Sequence, residues 1–291
     1  MNINTEVYMA NNICTSIDWS EQRITNSFMF YKIFTTYPDA CKELLEILLG
    51  FKIAKIEYPH GERIFNVDAE AHSVRLDIFT QDDNHIYDIE MQTTAEEDLP
   101  ERARYYQGVM DTATLKPSEP YKELKDSIII FICTFDPFRK GKVKYVFKNL
   151  DIENPNNELG DRTTKIFFNT SKYDKIQNNK ELKCLLAYFN SNKADSVFTS
   201  SLERLVTTAK HNLQWRQTYM TLERFQYYAS QRALKQGIQE GIEQGQQKAK
   251  ESAAIEFLKM GLPIEKVAKG TNLPIDQVEL LAKKIALTTK Q

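Results

Sequence analysis

The sequence predicts an α/β or α+β domain, in which helices flank a mixed sheet, followed by an all-helical C-terminal extension. Apolar residues recur at helical spacing over residues 25–49 and 99–115, and apolar and polar residues alternate between residues 51 and 91. The run from Ile128 to Cys133 is rich in β-branched residues and does not alternate. Such a run is typical of a central strand that is buried on both faces.

Local signals set the bounds of the individual elements. Pro38 interrupts the first helical stretch, so two helices are expected there, and Gly50 ends the second. Pro100 suits the first turn of the helix over residues 99–115. From about Lys180 onward the pattern is helical. Strands are expected over residues 51–58, 73–80, 85–92, 127–133, 142–149 and 163–170.

The chain is expected to contain three parts: a globular domain over residues 1–230, a glycine-ridged linker helix over 231–252 and a small helical region over 253–291. In the linker, Gly237, Gly241 and Gly245 occupy every fourth position and would form one thin ridge on a helix. Because glycine weakens a helix, the ridge is compatible with a frayed, flexible linker. The alternative is a close contact between helices that uses the missing side chains of the glycines. The second alternative predicts a homodimer through the C-terminal helices.

The segment EKVAKGTNLPIDQVELL, near the end of the chain, has the outline of a helix-turn-helix. Its second helix would begin with Asp276 and carry Glu279 one turn later, and acids suit a surface beside phosphates poorly. Packing, assembly or a regulatory contact is therefore the favoured interpretation, and sequence-specific DNA contact is the alternative.

Composition and charge limit the function classes. The 291 residues carry 38 Lys and Arg against 40 Asp and Glu, for a net charge of -2, so a nucleic-acid site must be a local patch. The longest apolar run is too short to span a membrane, and the start of the sequence lacks the pattern of a secretory signal. A cytoplasmic protein is expected. No glycine motif for phosphate or dinucleotide binding occurs, so no nucleotide cofactor is expected.

The most informative segment is an acidic β-hairpin. If Asp83-Asn84 forms the centre of a tight turn, residues whose numbers sum to 167 face each other across the ladder. Asp77 then lies opposite Glu90, and Arg75 lies opposite Gln92. Because side chains alternate along a strand, all four project from one face.

Two opposed carboxylates repel each other, and a divalent cation would offset that repulsion. Mg²⁺, or Mn²⁺ in its place, takes oxygen ligands and is commonly held by one or two carboxylates. Asp77 and Glu90, joined by the backbone carbonyl of Met91, therefore form a candidate metal site that could activate a water. The alternative is that these acids form the solvated face of an amphipathic hairpin.

Five segments of the chain follow one another in this order: SFMFYKIF, CKELLEILLG, SVRLDIFTQDDNHIYDIEMQ, ERARYYQGVMD and IIIFICTFDPFRKGKVKYVFKN. Together they resemble the recombination-promoting nuclease (Rpn) and transposase family, a branch of the PD-(D/E)XK nucleases. The resemblance covers roughly residues 20–240. It implies a restriction-endonuclease-like core, a Mg²⁺-dependent DNA endonuclease activity, and catalytic residues at Asp77, Glu90 and Gln92.

One departure concerns charge. The wider superfamily carries lysine where this chain, like the Rpn branch, has Gln92, and glutamine can orient a water but brings no charge. Arg75, the expected cross-strand neighbour of Gln92, is predicted to replace that charge in part. Some members of the superfamily add a carboxylate from the first helical region, for which Glu43 and Glu46 are candidates if they are not simply solvated.

Two basic patches are candidates for DNA contact. Arg102 and Arg104 lie beside Tyr105-Tyr106 and could meet phosphate and sugar, although inward packing of Tyr106 and ion pairing of Arg104 would also explain them. The second patch comprises Arg139, Lys140, Lys142 and Lys144. Lysines also protect edge strands from aggregation, and this explanation is slightly favoured over DNA contact.

The hairpin acids predict a metal site, and the resemblance implies a metal-dependent DNA endonuclease that promotes recombination or transposition-like events. A catalytically decayed DNA-binding accessory protein is the first alternative, because the superfamily lysine is missing. A helical assembly or regulatory protein, in which the hairpin acids are structural, is the second.

Overall fold

The computed structural model of the chain describes residues 18–58, 64–65, 74–75 and 77–288. It divides into two compact units, Met1–Tyr219 and Met220–Gln291. The first unit contains the strands and the second is helical. The predicted three-part division at residues 230 and 252 stays a prediction.

The described residues form eight α-helices. The break at Pro38 is confirmed, and Gly50 ends α2 with a left-handed φ of 81°. The helices are α1 Ser27–Thr36, α2 Pro38–Leu49, α3 Leu99–Thr114, α4 Lys180–Ser191, α5 Val197–Lys210, α6 Leu213–Lys259, α7 Ile264–Thr271 and α8 Ile275–Thr288.

Seven strands form two sheets in the described part of the chain. A two-stranded ladder pairs β1 with β2, and the main sheet has the strand order β3-β4-β5-β7-β6. The strands are β1 Ile64–Phe65, β2 Val74–Arg75, β3 Ile78–Gln81, β4 His85–Gln92, β5 Asp126–Cys133, β6 Lys144–Phe147 and β7 Thr163–Asn169.

The main sheet is mixed, as predicted. Strands β4, β5 and β7 run parallel, and β3 and β6 pair antiparallel at the two edges. The central position of β5 explains its sequence, because a strand covered on both faces needs apolar side chains on both. The parallel register aligns Gln92 with Cys133 and Cys133 with Asn169, so the carboxyl ends of the three strands share one edge.

Helices cover the main sheet. Helix α3 packs on β5, where Tyr106 and Met110 join a buried cluster with Ile86 and Phe131. Helices α1, α2, α4 and α5 contact one another, and α1 reaches β3. This mixed sheet flanked by helices, with a helical C-terminal region, is consistent with a restriction-endonuclease-like fold.

One predicted strand is wrong. Residues 51–58 form no strand, and a single bridge joins Glu57 to Gln81. The buried residues of the segment are Ile53 and Ile56, three positions apart rather than two, so the segment cannot keep one face on the core as a strand does.

The helical unit has its own small core. Ala254, at the end of α6, packs with Val267 and Ala268 of α7 and with Leu273 and Val278. The predicted linker 231–252 lies within the continuous helix α6. A Cβ atom added to any of its three ridge glycines would meet no described atom within 4 Å, so the ridge makes no close contact within the described chain. The predicted homodimer stays a prediction.

Within the described residues, no helix combines the length and the apolar character needed to cross a membrane.

Candidate active site

The β3–β4 hairpin carries the predicted acids. Its ladder pairs Ile78 with Ile89 and Gln81 with Ile86, which confirms the sum of 167 and the turn at Asp83-Asn84. The ladder ends before Asp77, which lies in a bend immediately before β3. The long strand predicted over residues 73–80 is therefore interrupted at this position.

The prediction for Arg75 needs correction. Its backbone pairs with Ile64 in the two-stranded ladder, and the pairing of β3 with β4 does not extend to it. The expected position opposite Gln92 is therefore wrong in register. The side chain of Arg75 lies outside the described part of the structure.

Asp77 and Glu90 meet across the hairpin although no ladder joins them. The Asp77 backbone N–H donates to Glu90 Oε1 at 2.9 Å, and the Met91 N–H donates to Asp77 Oδ2 at 3.1 Å. Glu90 is only 2% exposed. The bend thus brings the Asp77 and Glu90 carboxylates together beside the backbone N–H of Met91.

Asp88 is a third acid on the same face of β4, two positions before Glu90. It is fully buried, and its neighbours across the ladders are Phe79 and Ile129. Among the described residues, neither carboxylate oxygen of Asp88 has a partner with hydrogen-bond geometry, although Glu90 is close enough to interact with it. Asp88 was not among the predicted site residues, and its signal was the alternation that places residues 88, 90 and 92 on one face.

The environment disfavours the charged forms of these acids. Burial raises the pKa of Glu90 well above its usual value, and the charges of Asp77 and Asp88 add to the shift. Burial and the charge of Asp77 likewise raise the pKa of Asp88. Arg102 opposes both shifts without cancelling them. A bound cation would favour the ionised carboxylates.

Gln92 joins these acids to helix α3. It is 8% exposed, and its Nε2 donates to Glu90 Oε2 at 3.4 Å. Arg102, in the first turns of α3, donates from Nη1 to Gln92 Oε1 at 3.2 Å. Arg102 Nη2 lies 3.6 Å from Glu90 Oε2. Arg102 was predicted as a DNA-backbone contact, and the structure places its guanidinium against the candidate site.

The donor set can be tested against a divalent metal. No group of three or more His, Cys, Asp or Glu side chains within the described residues is arranged to hold an ion. The pair Asp77 and Glu90 still suits Mg²⁺, because this ion is commonly held by one or two carboxylates and keeps several waters. The buried carboxylate of Asp88, which interacts with Glu90, also fits, since a nearby cation would offset its negative charge.

The two candidate acids of the first helical region have different surroundings. Glu46 accepts hydrogen bonds from Lys52 Nζ at 2.6 Å and from the Ile53 N–H at 3.0 Å, and Lys42 Nζ lies at 3.1 Å. Burial raises its pKa, but these partners outweigh burial and lower it to about 2. Glu46 therefore stabilises the turn that follows α2. Glu43 lines a cavity of about 460 Å³ beside it, and burial raises its pKa.

Arg104 and Tyr105 are exposed on α3, so both are available to a ligand, whereas Tyr106 is buried against the sheet. Tyr106 contacts Arg102, whose Nε and Nη2 both donate to its hydroxyl, at 3.3 and 3.0 Å. The inward packing weighed for Tyr106 is therefore what the fold adopts.

The basic turn after β5 is shaped by Asp136, which accepts hydrogen bonds from the N–H groups of Phe138 and Gly141 and from the Tyr145 hydroxyl. Arg139, Lys140 and Lys142 are exposed on it. Lys144 instead lies half-buried in the edge strand β6, with Nζ 5.3 Å from the centre of the Phe168 ring, and burial lowers its pKa.

The turn lies at the same edge of the sheet as the acids. Asn169, at the carboxyl end of β7, donates from its backbone to Val143 O at 2.8 Å and from Nδ2 to Lys142 O at 3.1 Å. Asn169 aligns with Gln92 through the intervening strand β5, so about two strand spacings, roughly 10 Å, separate the backbones of Asn169 and Gln92. Lys175, which was not among the predicted residues, adds a charge by donating to Gly141 O at 2.8 Å.

The family of the chain follows from comparison with known families. The model of the PD-(D/E)XK nuclease family transposases matches residues 25–201. The chain belongs to this family. The predicted PD-(D/E)XK membership is thereby confirmed, and the match includes the hairpin, α3 and the basic turn. No curated protein and no solved structure is similar enough to count as a match.

Membership of the PD-(D/E)XK nuclease family indicates a nuclease role, with DNA as the substrate class and divalent metals as the usual cofactors. The acidic hairpin is where such a cofactor would be expected, because Asp77 and Asp88 both lie close to Glu90. The prediction that Gln92 occupies the position of the lysine in the family name stays a prediction.

Proposed function

We propose that this chain is a Mg²⁺-dependent DNA endonuclease that hydrolyses phosphodiester bonds and promotes recombination or transposition-like rearrangement. The observation that carries the proposal is the approach of Asp77 to Glu90 at the end of the hairpin, with Asp88 buried beside Glu90. Arg102, which also pairs with Glu96, does not offset the charge of these acids, so a divalent cation would be favoured there. The decayed accessory protein remains the alternative, since Gln92 is neutral.

In the proposed reaction, Asp77 and Glu90 would hold Mg²⁺, or Mn²⁺, with the backbone carbonyl of Met91 as a third ligand. When bound, the ion supplies Lewis-acid stabilisation of the phosphodiester and lowers the pKa of a coordinated water. Gln92 would orient the attacking water by hydrogen bonding, because an amide both donates and accepts. Burial of Glu90 and Gln92 excludes bulk water from this side of the site.

The basic turn supports the DNA side of the proposal. Arg139, Lys140 and Lys142 would bind phosphates about two strands away from the hairpin, so a DNA strand lying along the carboxyl edge of the sheet would meet both groups. Arg104 would contact the backbone from the exposed face of α3.

Cleavage of supercoiled plasmid tests the proposal. Wild-type protein should nick or linearise the plasmid with Mg²⁺ and not with EDTA, and Asp77→Asn should do neither. Asp83→Asn, in the exposed turn of the same hairpin, is the matched control and should cleave like wild type. DNA binding without cleavage by the folded wild type would favour the accessory protein, and equal cleavage by Asp77→Asn would contradict the site.

A further inference from the structure

Gln92 lacks the charge that a lysine would bring to the site, and its surroundings show where a replacement can come from. Arg102 reaches Gln92 Oε1 with Nη1 and lies near Glu90 Oε2 with Nη2. A single guanidinium therefore spans both side chains of the E-x-Q segment. Arg75, predicted for this role, pairs elsewhere through its backbone.

The contact also fixes which way the Gln92 amide points. Arginine has only donors, so the amide must turn its oxygen toward Arg102 and its Nε2 toward Glu90. Without Arg102 the amide could rotate, and its oxygen would then face the Glu90 carboxylate. Arg102 thus sets both the charge and the donor orientation at this position.

Neighbouring groups hold Arg102 in place. The Tyr106 hydroxyl, one helical turn further along α3, accepts from both Nε and Nη2. Burial lowers the pKa of Arg102, but the hydrogen bonds with Tyr106 and the charges of Glu90 and Glu96 outweigh it and raise the pKa overall. An arginine guanidinium is in any case not deprotonated in proteins, so Arg102 carries a positive charge.

We propose that Arg102 supplies, from helix α3 and through Gln92 and Glu90, the positive charge that lysine supplies in the PD-(D/E)XK motif. Arg102 is a positioning residue in this account, since it touches the two site side chains and not the reacting atoms. The inference rests on the proposed nuclease function.

A double-mutant cycle tests this exchange of charge. Arg102→Gln should lower kcat by roughly a hundredfold, the effect of removing one stabilising donor, with a smaller change in KM. Adding Gln92→Lys to Arg102→Gln should restore at least about tenfold of that loss, because the lysine returns the charge at the motif position. A merely structural role predicts the opposite, namely that the two losses multiply.

Controls separate the possible failures. Arg204→Gln removes an equal charge from an exposed position on α5 and should leave kcat unchanged. If Arg102→Gln melts below the assay temperature, Arg102→Met, which keeps the apolar stem packed, takes its place in the cycle. If the wild type cleaves but the kcat of the Arg102→Gln, Gln92→Lys double variant is no higher than that of Arg102→Gln, the inference about Arg102 is wrong and the proposed function stands. A wild type that does not cleave with Mg²⁺ overturns the proposed function and this inference with it.

Discussion

The acids at the two ends of the β3–β4 hairpin have pKa values shifted in opposite directions. At the turn, Asp82 accepts hydrogen bonds from the N–H groups of Asn84 and His85 and from the Tyr87 hydroxyl. Burial raises its pKa, but these donors outweigh burial and lower it. At the other end, Asp88 and Glu90 are buried more deeply and have raised pKa values.

The difference distinguishes a structural acid from one available to a ligand. An acid that donors surround stabilises the fold when it is ionised, whereas clustered buried acids destabilise it unless a cation binds. The comparison therefore assigns Asp82 to the fold and supports the binding role proposed for Asp77 and Glu90, beside which Asp88 is buried.

Glu90→Gln should abolish cleavage, by about a thousandfold or more, because several kcal/mol of metal-assisted stabilisation would be lost. The fold should persist, since glutamine can still accept from the Asp77 N–H. Plasmid cleavage and a thermal melt measure both effects. If Glu90→Gln cleaved at the wild-type rate, Glu90 would have a structural role, as Asp82 does, and the proposed metal site would be wrong.

Asp82→Ala should have the converse effect. It leaves the donors of the turn without their acceptor, which costs about 1–3 kcal/mol of unfolding free energy, while activity per folded molecule is kept. Because the folded-state pKa is lowered, the contribution of the Asp82 carboxylate is present above its ordinary value of 3.8 and is lost as the pH falls through the folded-state pKa. Denaturant titration at neutral pH measures the cost, and Asp83→Ala is the exposed control.

The stability of the metal-free protein should fall as the pH rises above 4.5, the ordinary value for Glu. The reason is that folded Asp88 and Glu90 keep their protons after the unfolded chain has released them. The slope is about 1.4 kcal/mol per pH unit for each such proton. Asp88→Asn should reduce the slope, as should saturating Mg²⁺. Urea unfolding at pH 5 and pH 8 tests this, and a slope identical in Asp88→Asn would contradict the assignment.

Neutralising the basic turn should weaken DNA binding and its dependence on salt. The triple variant Arg139→Gln, Lys140→Gln, Lys142→Gln should reduce the slope of log K against log salt by roughly 0.9 for each duplex phosphate that the protein no longer neutralises. A control with equal charge loss on exposed residues of α4, α5 and their connection is Lys183→Gln, Lys193→Gln, Arg204→Gln. Equal slopes in the two triples would remove the turn from the DNA-binding surface.

Much of the fold could be predicted because its signals are local. The break at Pro38, the stop at Gly50 and the turn at Asp83-Asn84 depend on backbone preferences of the residues themselves. The central position of β5 follows from its continuous apolar run. The strand predicted over residues 51–58 is wrong because the apolar spacing of this segment mixes two periods, so tertiary contacts determine its conformation.

The site could be predicted only in part. The hairpin register predicted that Asp77 lies near Glu90, and the two residues do meet, although a bend and not the ladder brings them together. The contact between Arg102 and Gln92 could not be predicted from the sequence, because Arg102 lies on a separate helix, ten positions further along the chain. Which arginine meets Gln92 depends on how α3 packs on the sheet.

The sequence by itself determined the order of helices and strands, the acidic hairpin and the basic turn, since each depends on neighbours along the chain. Only the tertiary structure decided that Asp88 is buried beside Glu90, that Arg102 faces Gln92, and that the basic turn shares an edge with the acids. These features depend on which strands lie side by side and on the helix that covers them. Burial and charge neighbourhood are properties of that packing and not of any local segment.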